Sequence, residues 1–304
     1  MMTSVTVLCL HRITDIKYPS WPGMPLGIFE KLLKHAKRNY RVCLPSDIQT
    51  DSKKKQLILT FDDGFEDFYL NAFPLLKKYK LPAVLNVVVK CITEDYQIWT
   101  QRLNDVLDVY AQHKAPFQLN IKDNLNSYYI DPGNAEKTSL SVFKQLLSVE
   151  KVQRDMLISK LEAEAPGIIN RSKMMIVSQL QEVSEQGIMI GSHSMTHPNL
   201  QLKDSDTKIL EFEIVESKNQ LENLLGIKIE SFAFPNGMYS DESIKIAKNS
   251  AYKYLFLVDN QIAHYNPGEE TKVLDRILIY AEKHWKNIFR IHNYHNKIRK
   301  YLKN

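Results

Sequence analysis

Gln56-Leu57-Ile58-Leu59-Thr60-Phe61-Asp62-Asp63-Gly64 is the stretch that decides the fold. A near-continuous apolar run leads straight into two carboxylates and a glycine turn, as a strand buried on both faces does where it ends at a functional rim. Runs of the same kind recur at 5–10, 83–89, 188–191, 228–234, 252–257 and 273–280. Helical periodicity fills the intervals at 26–40, 67–79, 178–186, 205–225 and 241–249; in the first, Phe29, Leu32, Leu33 and Ala36 share one face. The alternation predicts an α/β protein. Seven such strands, with no Gly-rich phosphate turn after the first, fit a closed or nearly closed (β/α) barrel better than an open doubly wound sheet.

The interval 92–170 breaks the alternation. Amphipathic stretches at 100–112 and 140–161 flank a turn-rich segment at 124–134, which predicts a largely helical insertion on a single catalytic body spanning 1–304. Asp204 or Ser205 before the long helix and Gly226 after it are ordinary start and stop signals.

Composition narrows the function classes. With 44% apolar residues the 304-residue chain can fill a core. The net charge is +5, but 282–304 holds seven bases and one acid, so the body is close to neutral. Nucleic-acid binding would need a basic stripe interleaved with stacking aromatics across that body, and it is excluded on this ground. Cys9, Cys43 and Cys91 are scattered, without the spacing of a disulfide framework or thiolate metal site, and point to a reducing compartment. The opening residues lack a basic n-region and a cleavage site, and no apolar run is long enough to span a bilayer. A soluble, cytoplasmic protein is therefore expected.

The chemistry-bearing residues follow strands. Asp62 and Asp63 are too close to stay fully charged without a compensating cation, and a metal beside one of them would supply it; a plain Asp-Gly turn is the other reading. His193 and His197, in Gly191-Ser192-His193-Ser194-Met195-Thr196-His197-Pro198, have a spacing that one helical turn would bring to one side, or are unrelated loop histidines. Together with a carboxylate, two imidazoles form a familiar ligand set for catalytic Zn²⁺. Pro235-Asn236-Gly237 ends another strand in a turn whose N–H groups suit an oxyanion or simply close the turn. His11 follows the first strand and faces the same rim if the barrel is correct.

Thr60 to Gly64 (TFDDG), His193 to Pro198 (HSxxHP) and Phe232 to Gly237 (FAFPNG) occur in this order, and with them the chain resembles the polysaccharide deacetylase family, the NodB-homology domain of carbohydrate esterase family four. The resemblance covers nearly the whole chain. It implies a distorted (β/α)7-type barrel and a metal-dependent N-deacetylase that releases acetate from an N-acetylated sugar in a glycan or a lipid-linked glycan precursor of surface-polysaccharide synthesis. By this resemblance Asp63, His193 and His197 bind one divalent ion, Zn first and Co, Ni or Fe as alternatives. Asp62 is then the general base, and the backbone N–H of Asn236 helps hold the oxyanion.

Two features depart from the commonest pattern. Ala233 stands where an arginine often precedes the third motif, and no Leu-x-x-His motif occurs late in the chain. Arg276 is the replacement expected to orient Asp62. His11 matches the acid position of the branch that includes poly-N-acetylglucosamine deacetylases, and is preferred over His264 and His284. Trp21, Tyr69, Trp99 and Tyr239 are candidate sugar-lining aromatics.

In 282–304, Trp285, Ile288, Ile291, Tyr294, Ile298 and Tyr301 recur at three and four among basic residues, predicting a basic amphipathic helix. Its stripe either packs on the barrel or attaches to an anionic membrane surface, which would place the protein peripherally at the inner face of the membrane. A metal-dependent amidase acting on a non-sugar amide, and a catalytically silent sugar-binding protein, are the competing functions.

Overall fold

The computed structural model describes residues 3–121, 124–201, 207–279 and 283–294. Strand β1 (Thr3–Leu10) is buried from Val5 onward, and all six residues of β3 (Gln56–Phe61) are buried. Strands covered on both faces read as unbroken apolar runs because neither face meets water. The two pair in parallel with Leu8 opposite Leu59 and Leu10 opposite Phe61. β2 (Arg41–Val42) adds to the start of β3.

From β3 the parallel sheet continues through β4 (Val84–Val87), β7 (Met189–Ser192), β8 (Ser231–Ala233) and β9 (Tyr254–Phe256) to β11 (Lys272–Leu274). The short strand β12 (Ile277–Leu278) then pairs with β1, so the last segment returns to the first and the barrel is nearly closed. β10 (Ala263–Tyr265) runs antiparallel to the opening half of β1. The run at 273–280, which reads as one strand in the sequence, is thus two. Its chain must leave β9 and join β1, and Arg276 at that transfer turns into the interior, completely buried. Tyr280 lies outside the described residues.

Helices cover the outside. Leu26–Asn39 buries Phe29, Leu32, Leu33 and Ala36, the three-and-four spacing of one stripe. Asp241–Asn249 starts where the Ser240 hydroxyl accepts the Ser243 N–H at 3.2 Å. The long helix is described from Thr207 to Leu225, with one widened turn at Phe212–Glu216, and stops at Gly226 with φ 67°. The expected start at Asp204 or Ser205 lies outside the described residues.

The chain forms two compact units, one of residues 1–15, 24–95 and 174–304, the other of 16–23 and 96–173. The second holds helices Trp99–His113, Ala135–Leu146 and Lys151–Ala163 and a hairpin of β5 (Pro116–Ile121) and β6 (Asn124–Tyr129). The hairpin corrects the turn-rich reading of 124–134. Polar residues there alternate along an extended strand, Tyr128 stacks on Phe117 at 4.9 Å, and the turn is confined to 132–134, after Asp131, which accepts the Gly133 N–H at 2.7 Å.

The last described helix, His284–Ile291, buries Asn287 and Ile291 and packs Ile288 on the barrel core. Trp285 is 63% exposed and stands at the solvent edge of the apolar stripe whose other edge, Ile291, is buried. Residues 282 and 295–304 of the expected tail helix lie outside the described residues. No described helix is long and apolar enough to cross a membrane.

Candidate active site

Parallel register brings the first loop residues together. Because Leu10 pairs with Phe61, His11 and Asp62 leave neighbouring strands side by side, and the Asp62 N–H donates to Leu10 O at 3.0 Å. Beyond them Asp63 and Gly64 both take left-handed backbone, φ 75° and 91°. A Cβ on Gly64 would come within 3.1 Å of Val87 Cγ1, so the turn accepts glycine there for space as well as conformation. Ser194, His197 and Asn236 also have positive φ. Such conformations persist where the surroundings over-determine them.

The loop after β7 shows how. His193 N–H donates to Val87 O at 2.8 Å, and His197 N–H donates to Ser194 Oγ at 2.9 Å. The Glu213 carboxylate accepts the N–H groups of Met195 and Thr196 at 3.0 and 2.8 Å. Val89 and Lys90 N–H groups take the carbonyls of Ser194 and Met195, both at 3.1 Å. The imidazoles therefore stand on a backbone fixed from both sides.

Asp63, His193 and His197 are buried, and their ligand atoms lie within 4.8 Å of one another. His193 Nδ1 is 2.8 Å from Ala233 O, which can only accept, so this nitrogen carries the proton and Nε2 presents a lone pair. Nε2 of His193 and Nε2 of His197 each lie 3.5 Å from Asp63 Oδ1, an oxygen with no hydrogen-bond partner. Burial, and then the charge of Asp62, push the Asp63 carboxyl well up, while burial pushes His193 down. A buried acceptor 3.5 Å from two imidazole nitrogens, that of His193 presenting its lone pair, is what a divalent cation would satisfy, and the N,N,O donor set suits one.

Asp62 has the opposite environment. Arg276 Nη1 donates to its Oδ1 at 2.8 Å and Nη2 lies 2.7 Å from Oδ2; Asn86 Nδ2 donates to Oδ1 at 2.8 Å, and the Cys9 thiol approaches Oδ2 at 3.4 Å. Arg276 is itself held by Leu257 O and Thr60 Oγ1 at 3.1 and 3.0 Å. Burial works to raise the Asp62 carboxyl, yet Arg276, aided by His193, holds it well below the usual carboxylate range. Asp62 is thus a fixed, ionised acceptor beside an unsatisfied one.

His11 is partly buried, and one of its ring nitrogens, Cys9 Sγ and an Asp62 oxygen lie within 4.8 Å of one another. Burial brings the imidazole down to about 4; Asp62 opposes this, and His193 and Arg276 add to it. His264 is exposed on β10 opposite Ser4, and His284 sits 6.3 Å from His35 on the outer helices. Neither joins the cluster. Asn236 occupies the turn after β8 with φ 56°, and its buried Nδ2 has no hydrogen-bond partner.

Of the aromatics singled out in the sequence, Trp99 is a correction. It is buried in the second unit between Phe143 (5.5 Å) and the Arg154 guanidinium (4.3 Å), which makes it core and no sugar platform. Tyr69 donates to Glu182 at 2.6 Å, Tyr239 packs 5.6 Å from Phe234, and Trp21 lies in the second unit. Asn86, Glu213 and Cys9 were missed by reasoning from sequence. Asn86 alone had left a signal, as the polar break in an apolar strand.

The polysaccharide deacetylase family model matches residues 49–255, more than half of the chain and all three motifs. The chain belongs to the polysaccharide deacetylase family. A curated relative, the polysaccharide deacetylase YxkH of Bacillus subtilis (strain 168), is 27% identical over 143 residues, 45% of this chain and 50% of that protein. The match thus spans half the length of the relative. Among solved structures, the Streptococcus pyogenes deacetylase PplD in complex with acetate is 19% identical with a TM-score of 0.62, covering 96% of this chain and 99% of that one. IcaB from Ammonifex degensii is 16% identical with a TM-score of 0.61, covering 94% and 95%. These likenesses establish the barrel of the polysaccharide deacetylases.

Proposed function

We propose that this deacetylase hydrolyses the acetamide of an N-acetylated sugar in a glycan or lipid-linked glycan precursor, releasing acetate. The observation that carries the reading is the unsatisfied, buried Asp63 carboxylate between two imidazoles, next to an Asp62 that Arg276 keeps ionised. Asp63, His193 and His197 would hold one divalent ion, Zn being favoured by two nitrogens and one oxygen, with Co, Ni and Fe as alternatives. When bound, such an ion polarises a carbonyl and lowers the pKa of water from about 15.7 towards about 7.

The chain's own residues handle the protons. Asp62 accepts the proton of the attacking water, its orientation set by Arg276. His11, neutral as its lowered pKa implies, takes over the water proton that Asp62 has accepted and delivers it to the leaving nitrogen, which returns Asp62 to its ionised form and His11 to its neutral one. The backbone N–H of Asn236 is the donor assigned to the oxyanion.

Cys9, Cys43 and Cys91 are buried and none is in a disulfide, which supports a reducing, cytoplasmic setting. On helix His284–Ile291, exposed Trp285 and Lys286 share the face opposite Asn287 and Ile291, which supports peripheral attachment to an anionic membrane carrying the substrate. The test of the reaction is acetate release from a panel of N-acetylated glycans with and without chelator. Release that chelator abolishes and Zn²⁺ restores is expected; release indifferent to chelator, or confined to non-sugar amides, would overturn the reading.

A further inference from the structure

Asn86 interrupts an otherwise apolar buried strand, and it is completely buried itself. An amide there has two polar ends to satisfy. The end facing Asp62 must be the nitrogen, because an ionised carboxylate only accepts; it donates to Oδ1 at 2.8 Å. This orientation turns Asn86 Oδ1 towards β7 and β8, where it finds no hydrogen-bond partner. Asn86 pairs in register with Gly191, and a Cβ at Gly191 would collide with both Asn86 Oδ1 and Ser231 Oγ. Two small residues on adjacent strands thus make room for a side chain that leaves an acceptor unsatisfied. A core selected for stability alone would place an apolar residue there, since an unpaired buried carbonyl is destabilising.

The carboxylate of Asp62 has about four acceptor positions. Arg276 Nη1 and the Asn86 amide, both strong donors, occupy Oδ1 at 2.8 Å each. Oδ2 has the Arg276 Nη2 contact at 2.7 Å and the Cys9 thiol at 3.4 Å, a weak donor that is readily given up. We propose that Asn86 is a positioning residue for hydrolysis: by closing Asp62 Oδ1 together with Arg276, it leaves Oδ2 as the oxygen that receives the proton. This rests on Asp62 being the general base. Without Asn86, Oδ1 regains an open position, and the carboxylate can turn or take the proton on its unproductive oxygen.

Asn86→Leu keeps the branched outline of the side chain and removes the donor, and Asn86→Ser, which is smaller, is the second variant should the first not fold. Each is measured alone and in an Asp62→Asn background. In the native background kcat for acetate release should fall roughly 10- to 100-fold, the range for a lost hydrogen bond to a charged group, with KM and bound metal unchanged and the thermal midpoint held or raised. In the Asp62→Asn background neither variant should cause a further loss, because Asn86 acts only through Asp62. An unchanged kcat in the native background, the same loss in both backgrounds, or a loss that tracks metal content overturns the assignment. Should Asp62→Asn itself retain full activity, the general-base reading fails instead, a result these single-background rates distinguish.

Discussion

Asp63 in the barrel and Asp105 in the second unit are equally inaccessible, each 3% exposed, yet they are surrounded in opposite ways. Asp105 is supplied with donors: Gln101 Nε2 at 2.7 Å and Ser172 Oγ at 2.9 Å on one oxygen, and the Ser172 N–H at 3.1 Å on the other. Asp63 faces two imidazole nitrogens at 3.5 Å and leaves Oδ1 without a hydrogen bond. A buried carboxylate with its donors in place ties a loop to a helix. One without them is poised for a ligand, and burial by itself does not separate the two cases.

Exchanging the two aspartates' side chains for methyl groups is the sharpest way to break this contrast. Asp63→Ala should abolish acetate release and yield protein free of bound metal by elemental analysis; full metal occupancy would reassign the ligands. Asp62→Asn should retain the metal and lose about 10²–10⁴-fold in rate, since it removes the proton acceptor while keeping the shape. A comparable loss is expected for His11→Ala on acetamides. That loss should shrink for activated esters, whose leaving groups need no proton, and an equal loss on both substrates would deny His11 the acid role.

Asp105→Ala belongs to the other side of the comparison. It strands the donors of Gln101 and Ser172 and should cost about 1–3 kcal/mol, read as a lower thermal midpoint, with metal content unchanged. Loss of metal from this variant would show that the two buried carboxylates do not act separately. Smallest of all, Trp285→Ser should weaken sedimentation with anionic vesicles without altering hydrolysis of a soluble substrate. Salt should weaken the wild-type interaction as well, and binding that ignores both would remove the membrane reading.

Much of the barrel was legible because its strands are covered on both faces. Gln56–Phe61 and Asp241–Asn249 have in the structure the bounds that periodicity assigns them. Strand ends then direct attention to His11, Asp62, Asp63, His193 and Asn236, since catalytic groups of such barrels gather there. The hairpin strand Asn124–Tyr129 was not legible, its polar alternation being indistinguishable from a loop until Pro116–Ile121 pairs with it. Trp99 misled for a related reason. An aromatic residue suits a sugar platform and a core equally, and only its neighbours Phe143 and Arg154 decide.

The sequence alone determined the alternation of buried strands and amphipathic helices in the barrel, the three motifs and thereby the family, because apolar periodicity and short motifs are local properties of the chain. Tertiary structure decided which groups Asp62 meets. Arg276, 214 positions away, was expected beside Asp62 through the family resemblance alone, and Asn86, 24 away, was not expected there; no apolar periodicity marks either as its partner. They meet because the last segment crosses from β9 to β1 and closes the barrel, bringing a guanidinium into a space where an unpaired carboxylate would be too costly to bury. The two imidazoles of the loop after β7 likewise leave Asp63 Oδ1 without a hydrogen bond, a property of the space around the residue that its place in the sequence does not encode.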